Sequence, residues 1–161
     1  MIQKLYLLLS HDIDADFASH TLIGAYRSLE SAVTKMQKAI YNEFEDIKEW
    51  WEDDEDASVE EQYQEWIEEN YLDDEQTSWS YTDDEPVERT YKIQTVEVDD
   101  KGGDMYALIC TRVDGVENRT DVLGVYNSQQ TANEDLEAFE SNDDNDSYLE
   151  VVTSIKKFSI E

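Results

Sequence analysis

A chain of 161 residues is long enough for one domain, or two very small ones, with a real buried core. Its 41 acidic residues against 12 basic ones give a net charge of −29, and its apolar fraction is 39%. That balance excludes nucleic acid and anionic membranes as direct partners, since both are polyanions. Four Trp, ten Tyr and four Phe argue for a folded chain rather than a disordered acidic one.

The opening MIQKLYLLLSHD has neither the length nor the cleavage pattern of a secretory leader, and no stretch approaches the roughly 18–20 apolar residues of a membrane span. A cytoplasmic protein is expected. Lys4 to Ser10 and Thr21 to Arg27 are β-rich runs around a polar loop, the composition of a hairpin, and Ser28 stands where an N-cap starts a helix. Val33, Met36, Ile40, Phe44, Ile47 and Trp51 then recur at steps of three or four, which predicts one long amphipathic helix. After EDDED, Ser58 and Glu61 have capping-box spacing, and Val59, Tyr63, Trp66, Ile67 and Tyr71 predict a second helix. Thr77 to Pro86 reads as a loop returning to a third strand, Arg89 to Val98. Met105 to Val113 and Asp121 to Asn127 read as another hairpin, with Ser128 as an N-cap and alternation again from Tyr148 to Glu161. Cys110, the one cysteine, lies in an apolar run as expected of a buried inert thiol.

The two hairpins are related. Residues 5–32, LYLLLSHDIDADFASHTLIGAYRSLESA, align without a gap on residues 105–132, MYALICTRVDGVENRTDVLGVYNSQQTA, with seven of 28 positions identical. These are Tyr6/Tyr106, Leu8/Leu108, Asp14/Asp114, Gly24/Gly124, Tyr26/Tyr126, Ser28/Ser128 and Ala32/Ala132. An α+β fold is therefore expected, built from duplicated β-β-α-β units with antiparallel sheets: a first unit over residues 1–100 and a second over residues 101–161. The motifs LIGAYRS and VLGVYNS, each between a strand run and a helix with an early Ala, resemble a small β-β-α-β domain family of unknown function in bacteria and phages. That resemblance implies the fold and no chemistry.

The units differ in length. From Ser28 to Tyr91 is 63 residues and from Ser128 to Tyr148 is 20, so the first carries about 43 extra residues, near 44–88, expected to form an acidic helical hairpin. Charge is concentrated there: residues 43–100 hold 24 acids and three bases, residues 1–42 four of each, and residues 101–161 13 acids and five bases. Halophilic adaptation would spread acid over every surface, and the neutral first quarter does not fit it. Like charges at i, i+4, such as Glu61/Glu65 and Glu65/Glu69, destabilise a helix, and no Lys is supplied here to relieve them. In composition, size and segregated charge the chain resembles the DNA-mimic inhibitors that phages and mobile elements direct against restriction enzymes, CRISPR effector nucleases and other nucleic-acid machinery. That resemblance implies a basic nucleic-acid-binding protein as partner. The expected contact residues are Asp53, Asp54, Glu55, Asp56, Glu60, Glu61, Glu65, Glu68, Glu69, Asp73, Asp74 and Glu75, with Asp83, Asp84 and Glu85 next.

Other chemistries find little support. His11 and His20 flank the first hairpin loop, where the second unit has Thr111 and Thr120, and five glycines leave little room for a phosphate loop. No catalytic residue, metal or cofactor is expected. Asp12, Asp14 and Asp16 match positions one, three and five of an EF-hand loop, but Phe17 replaces its glycine and Ile23 its terminal Glu. The competing expectation is an acidic interaction or structural module that does not compete with nucleic acid.

Overall fold

The computed structural model describes residues 2–13, 18–47, 59–71, 77–82, 88–99, 103–113, 118–141, 148 and 150–160. It is an α+β protein with two antiparallel sheets. In chain order the elements are β1 (Ile2–Ile13), β2 (Ala18–Tyr26), α1 (Leu29–Ile47), α2 (Val59–Glu69), β3 (Ser78–Thr82), β4 (Glu88–Asp99), β5 (Met105–Val113), β6 (Asn118–Tyr126), α3 (Gln129–Glu140) and β7 (Glu150–Phe158). One sheet has the order β2-β1-β4-β3 and the other β6-β5-β7.

Alternation along the strands divides their side chains between two cores. Leu7, Leu9 and Ala25 meet Ala107, Ile109 and Val122 between the sheets, and Leu5, Val98 and Met105 extend that interface. On its other face the four-stranded sheet packs Leu8, Tyr26, Tyr91 and Ile93 against Ala32, Met36 and Ile40 of α1 and Trp66 and Ile67 of α2. α3 lies on the three-stranded sheet, with Ala132 buried. The helices are thus outer layers and the sheets the two inner ones.

Both hairpins share an irregularity. The register slips between Leu8 and Leu9 opposite β2, and between Leu108 and Ile109 opposite β6. Each slip leaves one extra residue, Ile23 or Leu123, a β-bulge that turns Leu22 and Ala25, three residues apart, toward the same inter-sheet core. Gly24 and Gly124 have a spatial reason as well. A Cβ on Gly24 would lie 2.5 Å from the Tyr26 hydroxyl oxygen, and one on Gly124 would strike the Tyr126 hydroxyl, because each tyrosine lies across the glycine two residues before it on the same face. Ser28 and Ser128 cap their helices, accepting hydrogen bonds from the Ser31 N–H at 3.1 Å and the Thr131 N–H at 3.2 Å.

Two expectations change, while the expected continuation of α1 to Trp51 falls beyond Ile47, outside the described residues. The segment from Thr77 to Pro86 is not a plain loop, since β3 pairs with β4 from Ser78↔Lys92 to Thr82↔Glu88. Its sequence SWSYT alternates small polar and aromatic residues, the period of a half-buried strand. The extra residues therefore supply both a helix and a sheet strand, not a helical hairpin alone. Trp79 is fully buried, with ring centroids 4.8 Å from Trp66 and 5.9 Å from Tyr91, and Tyr81 lies 5.3 Å from Trp66. These rings pin α2 to the sheet.

The sheets are also joined by polar side chains. Lys92 and Gln94 project from β4 across the edge of β6. Gln94 donates to the Val122 carbonyl at 2.9 Å and accepts from the Val122 N–H at 2.8 Å, while Lys92 donates to the Thr120 carbonyl at 3.1 Å and to Asp121 at 2.7 Å. These bonds occupy backbone groups that an edge strand otherwise offers to other chains.

Candidate functional site

Among the expected contact residues, Glu61, Glu65 and Glu68 of α2 are exposed, whereas Trp66 and Ile67 of the same helix are buried. Spacing of four and three residues puts the three carboxylates on one face, over about 10.5 Å of helix axis. Asn70 finishes the helix, its side-chain amide donating to the Trp66 carbonyl at 2.6 Å. The structure describes Glu60 and Glu69 as helical positions of α2 but not their side chains. Asp53, Asp54, Glu55, Asp56, Asp73, Asp74, Glu75, Asp83, Asp84 and Glu85 lie outside the described residues, as do Ser58, Asp14 and Asp16.

Not every acidic residue is free for a partner. Glu43 of α1 and Asp12 of β1 both hold Arg89, Asp12 at 2.5 Å, and Tyr91 donates its hydroxyl to Glu43 at 2.9 Å. Burial, then the Glu43 carboxylate, push the Tyr91 hydroxyl well above its ordinary range. Asp12, the first acid of the DxDxD run, is thus part of an ion pair that ties β1 and α1 to β4. α1 mixes signs, exposing Lys35 and Lys38. α3 does not: Glu134, Asp135, Glu137 and Glu140 are exposed on a helix without Lys or Arg. Tyr126 beneath it has its pKa pushed up to about 12, by burial first and then by Asp135. The sequence QQTANEDLEAFE, four acids and no base, is the signal of this second acidic helix, smaller than the acid excess upstream.

The histidines lie at the sheet interface. His11 and His20 are cross-strand neighbours, as are Thr111 and Thr120, and the packing of the sheets brings the four together. His11 Nε2 lies 3.1 Å from Glu88 and its Nδ1 2.8 Å from the Thr120 hydroxyl; Thr120 and Thr111 are 2.8 Å apart; Thr111 lies 2.9 Å from His20 Nδ1, whose Nε2 meets Ser154. With Glu88 ionised, each bond can run one way: Ser154 donates to His20, His20 to Thr111, Thr111 to Thr120, Thr120 to His11, and His11 to Glu88. Both rings are neutral in that arrangement. Burial, then Lys156 and His11, lower the His20 pKa to about 4. The hydrogen bond from His11 holds Glu88 below the ordinary carboxylate range. Burial works against ionisation of Asp121, yet Lys92 brings it below that range too. His and Thr exchange at these positions between the two hairpins, and only the packing of one sheet on the other makes them partners.

No group of three or more His, Cys, Asp or Glu among the described residues is arranged to hold a metal ion. Comparison with protein-family models, with curated proteins and with solved structures gives no match.

Proposed function

We propose that the protein is a non-enzymatic acidic inhibitor that mimics nucleic acid and occupies the basic groove of a DNA- or RNA-binding protein, of the anti-restriction or anti-CRISPR type. The observation that carries this reading is the exposed face of Glu61, Glu65 and Glu68 on a helix with no base, held down by buried Trp66 and Ile67. Charge density supports it. α2 holds Glu60, Glu61, Glu65, Glu68 and Glu69 in 11 residues, or one acid per about 3.3 Å of axis, against 3.4 Å per phosphate along one strand of duplex. Glu65 has Glu61 and Glu69 four residues away on either side, and the mutual repulsion of such like charges works against the helix.

The scaffold under this surface is, in the same proposal, a tandem duplication of β-β-α-β units divided near residue 100. Support comes from the matching strand orders, bulges, glycine–tyrosine contacts and serine caps. A second reading, an acidic interaction module indifferent to nucleic acid, is favoured by α3, whose exposed acids lie on the opposite outer layer from α2.

The test is capture from a cell lysate by the full chain and by the triple variant Glu61→Gln, Glu65→Gln, Glu68→Gln, each with and without excess duplex DNA. Removing residues 44–88 would not serve, because it also removes β3 and Trp79 from the core. Recovery of a nucleic-acid-binding protein that falls both on substitution and on DNA addition supports mimicry. Capture indifferent to DNA moves the reading to the interaction module.

A further inference from the structure

The four-stranded sheet overhangs its three-stranded partner. β3 has no counterpart in the smaller sheet, and the inner face of β3 and β4 beside the edge of β6 is left as a cavity of about 470 Å³. Its floor and walls are rich in hydroxyls, with Ser78, Ser80, Thr90 and Thr120 lining it, and the one ring among the described lining residues is the His11 imidazole, already engaged with Glu88 and Thr120. The charged lining has two ends. Glu88 and Asn118 stand at one, joined at 3.2 Å, with the buried Asn118 side-chain oxygen lacking a hydrogen-bond donor among the described residues. Lys92 and Arg119 stand toward the other, both drawn to Asp121, at 2.7 and 3.5 Å. Glu88 and Lys92 are four residues apart on one strand face, about 13 Å between their Cα atoms. Two cations set against Glu88 in the lining and Asp121 beside it leave the site and its immediate surroundings neutral overall, and the chain's net charge of −29 repels a free anion.

The geometry points to this cavity as a binding site for a small zwitterion of the short-peptide class. Its ammonium group is taken by Glu88 and the Asn118 oxygen, its carboxylate by Arg119 and Lys92, and its amides by the hydroxyls between. An extended tripeptide spans at most about 10–11 Å, which suits the space between side chains reaching in from the two ends. The site stands apart from the acidic face of α2, so it survives or fails independently of nucleic-acid mimicry.

The experiment is a backbone-amide NMR titration of the full chain with triglycine, N-acetyl-triglycine and triglycine amide. Triglycine is expected to give saturable shifts on β3, β4 and β6, and capping either end to weaken binding about tenfold or more, the cost of one charge-assisted bond. Arg119→Gln, at a side chain 62% exposed and peripheral to the core, is expected to weaken triglycine and leave the amide form unchanged. Ser78→Leu, which fills the cavity, is expected to abolish binding with the spectrum otherwise folded; if it unfolds, Arg119→Gln decides. Absence of saturable binding, equal binding of the acetylated peptide, or shifts confined to other strands would overturn the site.

Discussion

The four-stranded sheet is covered by two helices and an aromatic cluster, the three-stranded sheet by one helix of 12 residues. Hairpins of nearly the same design therefore end in unequal surroundings: Tyr26 is 5% exposed beneath α1, whereas Tyr126 is only partly buried. The difference teaches how a heavily charged segment can be accommodated. Residues 59–71 and 77–82 contribute Trp66, Ile67 and Trp79 to a core that already exists, so their carboxylates are carried by an anchored element instead of a free one. α3 has less beneath it and carries its acids at the surface of a thinner layer.

The largest effect should come from removing the anchor. Trp79→Ala is expected to cost about 3–5 kcal/mol, read as a fall in denaturant midpoint, because a fully buried ring in contact with Trp66 and Tyr91 leaves a large cavity. If it costs no more than an ordinary surface change, α2 and β3 are not integral to that core.

Next come the paired glycines. Gly24→Ala and Gly124→Ala each force a tyrosine from its place, and overpacking of this kind costs about 1–3 kcal/mol. Gly24→Ala should be the more damaging in thermal melts, since Tyr26 is enclosed and Tyr126 has solvent to move into. Equal losses would mean that the two covers are equally rigid.

A smaller effect belongs to the interface between the sheets. His20 has a folded pKa of about 4 against an ordinary 6.5, so between those values the unfolded chain binds a proton that the folded one refuses. Stability should fall as pH drops through that window, and the lowered pKa values of Glu88 and Asp121 extend the loss to more acidic pH. His20→Thr should flatten the decline between 6.5 and 4 relative to the parent chain, in urea melts over that range. An unchanged slope would assign the acid sensitivity elsewhere.

The smallest stability effect is expected from Glu65→Gln: within about 0.5 kcal/mol, and in the stabilising direction, because repulsion from Glu61 and Glu69 at i, i+4 is relieved. A clear loss of stability would mean that the Glu65 carboxylate has a structural role.

Much of this architecture was legible in the chain. β-rich composition marked β1, β2, β5 and β6, alternation marked β4 and β7, and serines marked two helix starts, because all of these are set by neighbours within a few residues; the repeated Gly-x-Tyr was visible too, but that each ring lies across its glycine was not. Charge segregation was equally legible, being a property of composition. β3 was missed because the alternation of SWSYT runs for only five residues beside an acidic run, and its strand character depends on the edge of β4 being open to pair with it. The chain from Glu88 through His11, Thr120, Thr111 and His20 to Ser154, and the cavity beside it, belong to tertiary structure alone. Bonded partners in it lie as much as 134 residues apart, and only the stacking of one sheet on the other, with one strand left over, brings them within hydrogen-bonding reach.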